Sequence, residues 1–286
     1  MNMQIQHSAD HRRLPRWAFL IFASIFFLLL LKTDIAAAAN DELVLMVQPI
    51  LNQEKTIKAF QPLADYISKI TGKKSVVRAM PNFFSYWDTI RQVGNYDLVL
   101  DAAHFTDYRA QKMNFEILAK IPDTVSYSLI VPENTLIFDP TELTGKTIAS
   151  LGPPSIGATR LSAMFPNPLR QPIIVEVSSS AEGMDLLVNG RVHAAILPTP
   201  LVSQRMSGEG GIVVVTTTEP IPHIAISASP RMNKAMRDRI RSALLTADKN
   251  EEGRKMLKEI GFPKFDPATP EVYADQSNIL KEFWGY

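Results

Sequence analysis

The chain has 286 residues, of which 30 are Lys or Arg and 29 are Asp or Glu, and it contains no cysteine. Residues 1–39 hold four basic and two acidic residues, so the rest carries 26 positive and 27 negative charges, a net charge of −1. This balance excludes the basic excess that is typical of nucleic-acid binding. The lack of cysteine excludes disulfides, thiol nucleophiles and zinc–thiolate sites.

The first 39 residues have the pattern of a secretory signal peptide. Three arginines between positions 12 and 16 precede an apolar run of 15 residues, Trp17–Leu31, and the alanines Ala36–Ala39 follow. A basic segment, an apolar segment and a small-residue cleavage site are the three parts of such a peptide. The alternative is a membrane anchor, but the run is shorter than the roughly 20 residues that span a bilayer. We therefore expect cleavage after Ala39, a mature chain that begins at Asn40, and a periplasmic location.

Strand and helix patterns alternate in the first half of the remaining chain. Strands are predicted at Leu43–Val47, Ser75–Met80, Tyr96–Leu100, Glu116–Leu118 and Ser126–Val131, and helices at Thr56–Ile70, Ser85–Val93 and Phe105–Met113. The helix Thr56–Ile70 has its apolar residues on one face and ends at Gly72. Because Pro62 lies inside it, we expect the helix to restart or kink there.

The alternation begins again near Lys146. Strands are predicted at Lys146–Ser150, Ile173–Val177, His193–Leu197 and Ile212–Thr216, a helical turn at Pro140–Leu143, and helices at Gly157–Phe165, Ala181–Val188, Pro200–Met206, Met232–Asp248 and Glu251–Ile260. Repeated strand–helix units predict parallel sheets covered by helices. The restart predicts two lobes, with the extended runs Ser126–Val131 and Pro222–Ser229 as crossovers and the C-terminal helices on the first lobe.

Four segments carry a resemblance to a known family. They are Phe60–Lys69 (FQPLADYISK), Leu143–Ala149 (LTGKTIA), Val188–Ala195 (VNGRVHAA) and the stretch that runs from Ile221 to Leu257. In sequence, order and spacing they resemble the periplasmic phosphate/phosphite/phosphonate-binding proteins of ABC transporters. The resemblance implies an α/β fold of two lobes, the type II periplasmic binding protein fold, with two crossovers and the ligand in the cleft. We expect lobe 1 at residues 40–130 and 223–286, and lobe 2 at residues 131–222.

The resemblance also implies a function. The protein would be the solute-binding component of an ABC transporter, would bind a small oxyanion such as phosphonate, phosphite or phosphate, and would deliver it to an inner-membrane permease. We expect a monomer that is not an enzyme, with no cofactor, no metal and no nucleic acid as partner. Two alternatives remain for a protein of the same fold. It could present its ligand to a membrane sensor, or its ligand could be a non-phosphorus small organic acid or a zwitterion. A third is an exported hydrolase, although neither an H-E-x-x-H nor a G-x-S-x-G motif is present.

The loop before the predicted helix Gly157–Phe165 is rich in Gly, Pro and Ser, and it is the main site candidate. The start of a helix leaves N–H groups unpaired and carries partial positive charge, and small residues let an anion approach. We expect Ser155, Gly157, Ala158 and Thr159 to hold an oxyanion. The alternative is that Ser155 or Thr159 only caps the helix. The family loop, often DPxSTSG, has Thr and Ser where this chain has Ile156 and Gly157.

Further candidates follow the ends of other strands, where ligands of doubly wound sheets gather. The further ligand-binding candidates are Ser179, Ser180, Asp101, His104, Tyr86 and Thr199. A protonated His104 could donate to an anion. A buried Asp101 would favour an ammonium group or a neutral donor, or would only cap a helix. Tyr86 best matches a ligand-contacting tyrosine of the family, and its alternative is a place in the core. Two other histidines, at positions 193 and 223, are expected to be structural.

Overall fold

The computed structural model describes residues 42–92, 94–283 and 285–286. The predicted signal peptide and its cleavage site lie outside the described residues. In these ranges no helix combines the length and the apolar character that a membrane span requires.

Twelve strands are formed within the described ranges. They are β1 (Glu42–Val47), β2 (Lys74–Ala79), β3 (Leu98–Asp101), β4 (Glu116–Lys120), β5 (Thr124–Val125), β6 (Tyr127–Pro132), β7 (Thr147–Ser150), β8 (Ile173–Glu176), β9 (Ala194–Pro198), β10 (Ile212–Thr217), β11 (Ile221–Pro222) and β12 (Ala225–Ala228).

Eight α-helices connect and cover these strands in the same ranges. They are α1 (Gln53–Thr71), α2 (Phe83–Ile90), α3 (Ala103–Met113), α4 (Ile156–Met164), α5 (Ser180–Val188), α6 (Thr199–Gly208), α7 (Lys234–Leu245) and α8 (Glu251–Ile260). Short 3-10 helices lie at Pro140–Leu143, Ala247–Lys249, Pro270–Tyr273 and Gln276–Leu280. Most predicted elements differ from these bounds by one to three residues, because caps and apolar spacing mark helix ends locally.

The strands build two sheets of five. The first has the order β2-β1-β3-β12-β4 and the second has the order β10-β6-β9-β7-β8. Strands joined by helices are parallel, as β1 is to β2 and β3, and as β7 is to β8 and β9. β12 and β6, however, run antiparallel to their neighbours. The sheets are therefore mixed and not purely parallel, because each of these two strands enters its sheet directly after the chain has crossed from the other one.

The chain passes between the sheets at the antiparallel pair β5–β11, where Ile221 lies opposite Val125. We call the first sheet with α1, α2, α3, α7 and α8 the first lobe, and the second sheet with α4, α5 and α6 the second lobe. All of β6 pairs in the second sheet, so the strand spans the expected boundary at residue 130. The exact limits of the lobes stay a prediction.

Helix α1 shows how burial outweighs a local disruption. It is one continuous helix that contains Pro62, so the predicted restart is wrong. Proline inside a helix removes a hydrogen bond and costs about 3 kcal/mol. The buried face of the helix, which includes Phe60, Leu63 and Ile67, keeps it intact. Gly72 ends it in the left-handed conformation with φ of 71°, as its sequence position indicates.

Candidate functional site

The start of α4 lies where β7 ends, after a loop that runs to Ser155. This serine is buried, its Oγ accepts a hydrogen bond from the N–H of Ala158 over 3.2 Å, and its carbonyl accepts one from Thr159 Oγ1 over 2.9 Å. Ser155 is therefore the N-cap of the helix. The N–H groups of Ile156 and Gly157 form no hydrogen bond with any residue of the described ranges. Two donors at the positive end of a helix thus remain for an anion.

The ring of Tyr127, on β6, packs against this helix start. A Cβ atom placed on Gly157 would lie 3.3 Å from Cδ1 of Tyr127, which is tighter than an ordinary contact. Burial raises the pKa of Tyr127 to about 12, so that its hydroxyl stays neutral. Tyr127 was not among the site residues predicted from the sequence. The only signal for it was its place in an extended run that was predicted to be a crossover.

His104 contacts the same loop from the first lobe. It is the second residue of α3, it is fully buried, and its Nε2 lies 2.9 Å from the carbonyl oxygen of Pro154. Burial lowers the pKa of His104 to about 3; the Pro154 carbonyl opposes this, and the charges of Arg109 and Arg160 add to it. The imidazole is therefore neutral at physiological pH. The protonated form that was expected to donate to an anion is disfavoured in this arrangement, and the ligand contact of His104 stays a prediction.

A second side chain, that of Ile156, also crosses between the lobes. Ile156, the first residue of α4, belongs to the apolar cluster of the first lobe. Arg160 lies four residues later, and therefore on the same helix face. Its Nε is buried without a hydrogen-bond partner, and the guanidinium forms no ion pair in the part of the chain that the structure describes. A positive charge without a counter-charge thus lies near the lobe junction. The spacing from Ile156 was the signal that could have found it.

Tyr86 and Asp101 lie in a buried network of the first lobe. Arg109 donates from both terminal nitrogens to Asp101, over 2.6 Å to each oxygen, and the Tyr86 hydroxyl donates to Oδ2 over 2.5 Å. Thr106 donates to Oδ1 over 3.1 Å. Burial opposes the charge of Arg109, yet the Asp101 carboxylate raises the pKa of Arg109 above its usual value. The polar atoms of Tyr86 and Asp101 are thus engaged within the lobe, and their contact with a ligand stays a prediction.

The serines after β8 cap the next helix. Ser179 accepts a hydrogen bond from the N–H of Glu182 over 3.1 Å, and the Glu182 carboxylate accepts from the N–H and the hydroxyl of Ser178. This reciprocal pattern is a capping arrangement for α5. Ser180 is the first residue of that helix and is partly exposed. The capping alternative is therefore observed for Ser179, while the binding role of both Ser179 and Ser180 stays a prediction.

Thr199 belongs to a cluster of hydroxyl groups near the crossovers. Its Oγ1 lies 2.8 Å from Ser126 Oγ and 3.0 Å from Ser128 Oγ, and Ser128 in turn lies 3.0 Å from Thr217 Oγ1. Thr199 starts α6 at the end of β9. β7, β8 and β9 run parallel, so their carboxyl ends lie at the same edge of the second sheet. The segments that follow these strands at this edge carry Ser155, Ser179 and Thr199.

Comparisons with known proteins agree with this architecture. The family model described as "ABC transporter, phosphonate, periplasmic substrate-binding protein" matches residues 45–273. No curated protein sequence matches the chain.

Among the described residues, no group of three or more His, Cys, Asp or Glu could hold a metal ion.

Several solved structures have the same fold at low sequence identity. PhnD1 from Prochlorococcus marinus, in complex with methylphosphonate, has a TM-score of 0.71 and 15% identity, over 84% of this chain and 97% of that chain. A binding protein component of an ABC phosphonate transporter from Pseudomonas aeruginosa has a TM-score of 0.67 and 14% identity, over 82% and 83%. XAC2383 from Xanthomonas citri, bound to ATP, has a TM-score of 0.67 and 16% identity, over 84% and 98%. This likeness confirms the predicted two-lobed fold.

Proposed function

Because the chain belongs to the family of periplasmic substrate-binding proteins of phosphonate ABC transporters, we propose that it binds a small phosphorus oxyanion between its two lobes. The family consists of binding proteins and not of enzymes, and its members work in the periplasm with an ABC permease. For this chain we propose export by a signal peptide in residues 1–39, action as a monomer, and delivery of the bound anion to the permease.

The observation that carries the proposal is the start of α4. Two unused N–H groups, those of Ile156 and Gly157, lie at the positive end of this helix, and the unpaired Arg160 follows on the face that meets the first lobe. A hydrogen bond to a charged group contributes roughly 1.5 to 3 kcal/mol. Two such bonds and one cation are enough to hold a small anion without a strongly positive chain.

We assign roles to the remaining candidates by their position. Ser155 and Thr159 order the helix start, and Gly157 and Ala158 leave room for an anion to approach the backbone. Hydroxyl groups of Ser179, Ser180 and Thr199 extend the same edge of the second sheet. From the first lobe, His104 closes over the ligand. Tyr86 and Asp101 support the wall, because Asp101 accepts hydrogen bonds from both Tyr86 and Arg109.

The charges favour an anion over a zwitterion. Both oxygens of Asp101 already accept hydrogen bonds from Arg109, with Tyr86 and Thr106 as further donors, so this carboxylate is not left to pair with an ammonium group. Arg160, by contrast, has no counter-charge among the described residues. An uncompensated cation that is partly buried favours a negatively charged ligand.

Calorimetric titration of the mature protein tests the proposal. Methylphosphonate, phosphite and phosphate are compared with acetate and glutamate, after any co-purified ligand has been removed by unfolding and refolding. We expect saturable binding of at least one phosphorus oxyanion, together with a raised melting temperature. Binding of a carboxylate alone would support the organic-acid alternative, and no response to any phosphorus oxyanion would contradict the proposal.

A further inference from the structure

The second lobe has an apolar pocket that is lined by a residue from the far end of the chain. The cavity, of about 290 Å³, lies between α4 and β8 and is lined by Leu161, Phe165, Pro172 and Ile174. Phe283, three residues before the C-terminus, also lines it. The pocket includes Pro153 and Ala158 as well, so its wall continues into the loop and helix start described above.

The segment that carries Phe283 is anchored on the first lobe. The N–H of Ser277 donates to Asp107 Oδ2 over 2.8 Å, and Asp107 lies on α3 and is almost fully buried. The 3-10 helix Gln276–Leu280 packs on α3, and its last residue, Leu280, is fully buried in an apolar cluster that contains residues of α2 and α3 as well as residues of the second lobe. The chain therefore leaves the first lobe only three residues before Phe283.

Tyr286, which lies three positions after Phe283, contacts the first lobe again. The ring of Tyr286 lies 5.7 Å from that of Tyr108, and the ammonium group of Lys112 lies 5.2 Å from the centre of the Tyr286 ring. Tyr108 and Lys112 both belong to α3. The segment is thus held on the first lobe on both sides of Phe283, while the Phe283 side chain reaches the second lobe.

We infer that the residues 276–283 act as a latch, in which Phe283 occupies the rim of the second-lobe pocket and stabilises the closed arrangement of the two lobes. Burial of an aromatic side chain against apolar walls is favourable, and this burial requires both lobes to be close. A contact made in only one of two arrangements shifts the equilibrium toward that arrangement. The latch acts on the unliganded protein and does not depend on which ligand the cleft binds.

A distance measurement between the lobes tests the latch. Since the chain contains no cysteine, Lys58→Cys on α1 and Ser207→Cys on α6 provide two exposed sites for spin labels. Pulsed electron resonance then gives the distribution of inter-lobe distances in the unliganded protein. For Phe283→Ala we expect the ratio of closed to open molecules to fall by roughly fivefold, the size expected for the loss of one partly buried aromatic side chain.

Two further variants make the result specific. Phe138→Ala removes the same side chain from the loop between β6 and β7, where it is 78% exposed, and should leave the distances unchanged. Ser162 belongs to the part of the pocket wall that the second lobe provides. Ser162→Glu places a carboxylate there and should lower the ratio of closed to open molecules, as Phe283→Ala does. Thermal melting confirms that each variant folds. A distance distribution that Phe283→Ala leaves unchanged overturns the latch, whatever the ligand titrations give.

Discussion

His104 Nε2 in the first lobe donates a hydrogen bond to the carbonyl oxygen of Pro154 in the second lobe, over 2.9 Å. A carbonyl oxygen can only accept, so this contact places the imidazole proton on Nε2. In the neutral ring Nδ1 then carries a lone pair, and it has no partner in the described ranges. The two lobes are therefore joined here by an uncharged hydrogen bond, and the lone pair of the buried Nδ1 can accept a hydrogen bond from a donor group of a ligand.

The same histidine should make stability depend on pH. The pKa of His104 falls from 6.5 to about 3 because the ring is buried. Between these values the unfolded chain binds a proton that the folded chain does not bind, so stability that is present above pH 6.5 is lost as the pH falls toward 3. We expect His104→Gln to flatten the decline of the free energy of unfolding between pH 6.5 and 4.5, by about 2 kcal/mol. Urea unfolding at several pH values measures this, and parallel pH profiles for the two proteins would contradict it.

Breaking the buried ion pair should cost far more than breaking an exposed one. Arg109 and Asp101 are both fully buried, so Arg109→Met leaves a carboxylate without its counter-charge. We expect the free energy of unfolding to fall by about 3 to 5 kcal/mol. Lys69→Met breaks the exposed pair with Glu252 and serves as the control, with no measurable change expected. Urea unfolding measures both variants. An equal loss of unfolding free energy in Arg109→Met and Lys69→Met would contradict a larger stabilisation by the buried pair.

The cap of α4 should affect binding as well as stability. Ser155 and Asn250 both cap helices, and Asn250 accepts from the N–H of Gly253 over 2.7 Å at the start of α8. Replacing either by Ala should lower the free energy of unfolding by about 1 kcal/mol. Only Ser155→Ala should also weaken binding of methylphosphonate, by roughly tenfold, because its helix start would hold the anion. Calorimetry checks this, and an unchanged dissociation constant for Ser155→Ala argues against an anion at α4.

The contact between Gly157 and Tyr127 should limit what can replace the glycine. Ala is ordinarily more favourable than Gly in a helix by about 0.5 to 1 kcal/mol. A Cβ on Gly208 meets nothing within 4 Å, so Gly208→Ala should raise the melting temperature. On Gly157 the added atom meets the Tyr127 ring at 3.3 Å, so we expect no such gain and weaker binding of methylphosphonate. Calorimetry and melting curves test both, and an equal gain in stability with unchanged affinity would contradict the expectation.

Local patterns predicted the elements well and the site only in part. The helix Glu251–Ile260 was predicted with its observed bounds, because Gly261 marks its end and its apolar spacing is regular. Of the restart or kink predicted at Pro62, the restart was wrong, since the burial of α1 depends on the sheet beneath it. Arg109 gave no sign that it would engage Asp101, because pairing of this kind depends on how the strand end and the helix are oriented in space.

The sequence by itself determined the order of the strands and helices, the two lobes and the family, because apolar periodicity, caps and motif spacing are properties of neighbouring residues. Only the tertiary structure decided which side chains meet at the lobe junction: Ile156 in the core of the first lobe, His104 on Pro154, and Arg160 without a partner in the described chain. The physical reason is that these contacts join residues far apart in the sequence, as the 50 positions between His104 and Pro154 show, and their burial and charge depend on the packing of whole lobes.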